Sequence, residues 1–64
     1  MSKARSFTDA DGDTYTTQLS ESGHNISIMY ENSDGSGTSL LVFKVEDAPT
    51  IANHILNAAL EARK

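Results

Sequence analysis

The chain has 64 residues, nine of them Asp or Glu against five Lys or Arg, for a formal net charge of −4, and it contains no cysteine. That length holds one domain at a size where a single core is marginal, and the missing cysteines exclude disulfide staples and cysteine-based zinc sites as reinforcement. The acidic balance disfavours nucleic acid, whose phosphates call for a basic patch, and no apolar run approaches the ~20 residues of a membrane span.

In chain order, residues 1–7 carry basic side chains without an apolar core, so they do not read as a secretory signal, and a cytoplasmic protein is expected. Residues 3–8 are weakly strand-like, with Phe7 the one large apolar residue. Asp9-Ala10-Asp11-Gly12-Asp13 is a turn signal, because Asp side chains accept hydrogen bonds from nearby amides and Gly12 tolerates a positive φ. Residues 14–20 alternate Tyr15, Thr17 and Leu19 onto one face. Glu21-Ser22-Gly23 turns the chain into residues 24–31, with Ile26, Ile28 and Tyr30 inward and Asn25, Ser27, Met29 and Glu31 outward. After the polar loop 32–37, residues 38–46 form the greasiest strand, apolar on both faces.

The last element is an amphipathic helix over residues 50–64. Asp47 is expected to cap it with its carboxylate, Pro49 suits a first turn whose amides lack partners, and Arg63 and Lys64 sit at the negative end of its dipole. At ~100° per residue the apolar arc spans roughly 200°, twice what seating on one sheet requires. Leu56 and Leu60 extend that arc and call for a cover other than the helix's own sheet. Short links favour antiparallel pairing, since a parallel crossover needs a dozen or more residues. The expected fold is therefore α+β, a three- to four-stranded antiparallel meander followed by one helix, β-β-β-β-α, in a single domain over residues 1–64. Met29, Leu40 and Val42 share the far face, so a homodimer is expected through Leu56 and Leu60 or through Leu40 and Val42.

Charge is the most distinctive surface feature. From Ser6 to Phe43 there is no Lys or Arg, while Asp9, Asp11, Asp13, Glu21, Glu31 and Asp34 all fall there. In a meander the first and third links lie at the same end, which makes the 9–13 turn and the Asp34 loop neighbours. Asp9, Asp11, Asp13, Glu31 and Asp34 are the candidate contacts to a basic protein surface, whose encounter such a field accelerates. An acidic surface that only keeps the protein soluble is the plainer reading. A calcium site is the alternative for Asp9, Asp11 and Asp13, which occupy positions one, three and five of an EF-hand-like loop. Thr14 stands where that loop has glycine and Ser20 where it has the bidentate glutamate, so an ordinary Asx turn fits better.

No Ser, His and carboxylate set has the spacing of a nucleophile elbow, and His24 and His54 read as surface residues, so no catalytic residue, no cofactor and no enzyme is expected. The run Phe7-Thr8-Asp9-Ala10-Asp11-Gly12-Asp13, followed by strands, Val45-Glu46-Asp47-Ala48 and the helix from Ile51 to Ala62, resembles the tiny acidic orphan proteins of actinobacteria and bacteriophages. That resemblance implies a protein that occupies and inhibits a host protein, of anti-CRISPR, anti-defence or DNA-mimic type, and it carries no functional residues with it. A cation-responsive module and a structural homo-oligomer are the other two expectations.

Overall fold

The computed structural model describes residues 3–63. Four strands, β1 (Ala4–Thr8), β2 (Thr14–Leu19), β3 (Asn25–Glu31) and β4 (Thr38–Lys44), form one antiparallel sheet in the order β1-β2-β3-β4, and α1 (Ala48–Ala62) follows. The β-β-β-β-α expectation holds, including the first strand. Its links are too short for any pairing but a meander.

Register fixes the faces. Across the sheet Leu19 pairs with Ile26 and Ile26 with Phe43; Thr17 with Ile28 and Ile28 with Leu41; Tyr15 with Phe7 and with Tyr30. Alternation then puts Phe7, Tyr15, Thr17, Leu19, Ile26, Ile28, Tyr30, Leu41 and Phe43 on one side. The other side carries Met29 opposite Leu40 and Ser27 opposite Val42. Over β1 and β2 that far side is a hydroxyl ladder, with Ser6 bonded to Thr16 at 3.0 Å and Thr8 to Thr14 at 3.1 Å.

The junction between sheet and helix corrects two expectations. The last strand stops at Lys44 rather than running to residue 46, because Val45 donates its amide to the His24 carbonyl at 3.0 Å and the chain then winds into a 3-10 turn over Val45–Asp47. Asp47 does precede α1, but it makes no side-chain cap. Its backbone is already right-handed helical (φ −92°, ψ −13°), whereas a capping side chain folds back from an extended residue. Pro49 falls in the first helical turn as expected, where its missing N–H costs nothing. At the other end the Arg63 amide donates to Leu60 at 3.2 Å, and Lys64 lies outside the described residues.

The helix seats on the Ile26 side by its N-terminal half only. Ala48, Ile51, Ala52 and Ile55 face Thr17, Ile26, Ile28 and Phe43 across a hollow of about 190 Å³. Ile26, Ile28, Phe43 and Ile51 are half-buried, and among the described residues none is fully buried. Leu56 and Leu60 remain exposed on the helix, as do Met29, Leu40 and Val42 on the far face. The radius of gyration is 13.2 Å, where a compact chain of this length has about 11 Å.

Candidate functional site at the acidic end

The site begins with how Asp9 folds the first hairpin. Its Oδ1 accepts the amides of Asp11 (2.9 Å) and Asp13 (3.0 Å), and its Oδ2 accepts the Tyr15 hydroxyl at 3.0 Å. The Asp9 carbonyl takes the Gly12 amide at 3.0 Å, and the Asp9 amide donates to the Asp13 carbonyl at 2.9 Å. One aspartate therefore satisfies most of the turn, which is the local reason an Asp stands at the end of β1. Gly12 closes it with φ +88°.

The third link, residues 32–37, is built around Asn32. Its Oδ1 accepts the Gly37 amide at 3.0 Å, its Nδ2 donates to the Ser36 hydroxyl at 3.2 Å, and its carbonyl accepts the Gly35 amide at 3.0 Å. Asp34 Oδ1 accepts the Ser36 amide at 2.9 Å.

The two loops meet, as their shared end of the meander requires. Ser33 donates its amide to Asp13 Oδ1 at 3.0 Å across 20 residues of sequence. A Cβ built on Gly12 comes within 3.0 Å of the Ser33 Cβ, so the approach itself excludes a larger residue. The result is a latched acidic end in which Asp9, Asp11 and Asp13 offer carboxylate oxygens all within 4.8 Å of one another.

An aromatic row runs beside it. Phe7 stacks on Tyr15 with ring centroids 6.3 Å apart, and Tyr15 meets Tyr30 at 5.3 Å. Partial desolvation pushes the Asp9 carboxyl up. The Asp13 amide, the Tyr15 hydroxyl and the Asp11 and Gly12 amides outweigh it and hold that carboxyl below its ordinary range. The Ser36 hydroxyl and amide do the same for Asp34. Donation to Asp9 raises Tyr15, with desolvation adding to it. Desolvation, then the Asp13 charge, raises Tyr30.

Of the five expected partner contacts, the structure brings Asp9, Asp11 and Asp13 together and joins the Asp34 loop to them through Ser33. Glu31 stands at the same end by its pairing with Thr14 and Thr38, but alternation sends it to the far side of the sheet from Tyr30. The four expected dimer contacts fall on two different surfaces, Leu56 and Leu60 on the helix and Leu40 and Val42 on the far face. His24 lines an open hollow of about 450 Å³ at the opposite end, with Lys44 and Glu46.

Sequence reasoning missed Ser33 as the latch, Asn32 as the pin of its loop and Tyr15 as a donor to Asp9. The Asn32 to Gly37 spacing and the placing of Asp9 and Tyr15 on either side of one turn are signals for the last two, while the Ser33 backbone amide has none.

No family model, no curated protein and no solved structure matches the chain. Among the described residues no helix is long and apolar enough to cross a membrane.

Proposed function

We propose that this chain is a non-enzymatic interaction protein that docks its acidic end on a basic surface of another protein. The observation that carries the reading is the latch between Ser33 and Asp13, which holds two acidic loops as one preformed surface. Preformed charge costs less ordering on binding than charge on loose loops. The stretch without Lys or Arg keeps the local field of one sign. The inhibition of a host protein in a phage or mobile-element setting, and a cytoplasmic site of action, are parts of the proposal that rest on the resemblance and the composition.

Calcium is the second reading, and the 4.8 Å grouping of the three aspartates favours it. Against it, both Asp9 oxygens already accept protein donors, as does one oxygen of Asp13, so a cation would share those oxygens with the hydrogen bonds that build the turn. The two readings separate cleanly. Docking through charge predicts that a partner captured from lysate at low salt is shed at high salt, and that Asp11→Lys with Asp34→Lys abolishes capture; unchanged capture by that double variant sinks the proposal. A calcium module predicts instead that millimolar calcium raises the melting temperature and shifts the amides of residues 9–13.

A further inference from the structure

We infer that the fold is completed by a second copy of this chain, in a two-fold dimer closed through the helix side of the sheet. The C-terminal half of each α1 covers the row of Phe7, Tyr15, Tyr30 and Leu41 on the other copy. Three observations carry this.

The first is area. The chain exposes 5278 Å², whereas a compact monomer of 6.9 kDa exposes about 4,000 Å². The excess, about 1,300 Å², exceeds the ~800 Å² that each partner contributes to a standard stable interface. Together with the enlarged radius of gyration and the absence of any fully buried residue among those described, it marks a chain whose core is incomplete alone. A partner needed for the core must be present whenever the chain folds, and a second copy always is.

The second is self-complementarity. The helix seats only its first half, leaving Leu56 54% and Leu60 50% exposed. On the same side, Phe7 is 65% and Leu41 56% exposed. One unfilled half is a helix without a sheet and the other is a sheet without a helix. A two-fold axis satisfies both at once, since residue i then meets j and j meets i. The seated half of the helix lies over Thr17, Ile26, Ile28 and Phe43, and the uncovered residues run from Phe7 on β1 through Tyr15 and Tyr30 to Leu41 on β4, nearer the acidic end. The second helix comes from the second chain.

The third is charge. The row to be covered borders the acidic turn, and Arg63 follows Leu60 by one turn on the covering helix. The pairing therefore brings a cation toward residues 9–13 of the other copy and keeps the two acidic ends apart. Face-to-face pairing of Met29, Leu40 and Val42 would bury apolar area but leave α1 half-seated and the Phe7 row uncovered.

The test combines mass with placement. Sedimentation equilibrium of the wild-type chain over a range of micromolar concentrations is expected to give twice 6.9 kDa. In a mixture of differently isotope-labelled copies, filtered NOEs are expected from the Phe7 ring to the methyls of Leu56 and Leu60. Leu60→Asp is expected to lose the dimer, while Leu40→Asp and Asn57→Asp, the latter a control for a new charge on the same helix, retain it. A cooperatively folded 6.9-kDa monomer overturns the inference, as do intermolecular NOEs confined to Leu40 and Val42 or loss of the dimer in Leu40→Asp alone.

Discussion

The two ends of this small sheet solve the same problem in opposite ways. At the acidic end the backbone amides of two loops find acceptors within the chain: Asp9 serves Asp11 and Asp13, Asn32 serves Gly37, and Asp13 reaches across to Ser33. At the helix side the apolar groups find only half a partner, and Leu41, Leu56 and Leu60 remain exposed. Hydrogen bonds are short-range and directional, so five or six residues close a loop. A hydrophobic face needs area, and a chain of this length with one helix does not have it.

That contrast predicts where substitutions hurt. The largest effect belongs to the half-buried seam between sheet and helix. Ile26→Ala and Phe43→Ala should each cost about 2–4 kcal/mol in denaturant unfolding, the range for large-to-small changes in a core, if a second copy completes that core around them. A cost under about 1 kcal/mol would mean that the seam stays wet. Gly12→Ala comes next, at about 1–3 kcal/mol, because it combines φ +88° with the 3.0 Å approach to Ser33. Gly23→Ala isolates the first of those terms: its φ is +79° but nothing lies within 4 Å of an added Cβ, so it should cost about 1 kcal/mol. Equal costs at the two glycines would break the claim that the loops are latched.

Acid should act through Asp9 and Asp34 at the acidic end. Asp9 and Asp34 have folded-state carboxyls below their ordinary values, so the folded state binds protons less readily than the unfolded one. Their contribution is present in full above the unfolded value near pH ~4, and it is lost as pH falls through the depressed folded values. Melting temperature should therefore be flat from pH 7 to about 5 and fall below ~4, with a smaller acid-induced drop in Asp9→Asn. The smallest effect is expected at Asp11, whose carboxylate accepts no hydrogen bond from the described residues: Asp11→Ala should lie within about 0.5 kcal/mol of the parent by the same unfolding assay.

Much of this was legible in the residues. Period-2 alternation in residues 14–31 fixed which side of the sheet is apolar, and the turn chemistry of Asp9, Gly12 and Gly23 placed the hairpins. The wide helix arc already showed that Leu56 and Leu60 would outrun their own sheet. Asp47 misled because a capping residue type says nothing about the 3-10 turn before it, which the Val45 amide sets by bonding to His24, 21 residues earlier in the chain. The Ser33 latch was invisible for a related reason, since a backbone amide carries no residue-type signal. Local chemistry reads well from sequence, while contacts between loops depend on the register that brings them together.

The completion of the core by a second copy is tested most directly by the melting temperature as a function of protein concentration. A core completed by a second copy makes unfolding bimolecular, so the melting temperature should rise steadily with concentration from the low micromolar to the high micromolar range. A melting temperature that is independent of concentration, with a single cooperative transition, would contradict it and would mean that the half-seated helix is enough.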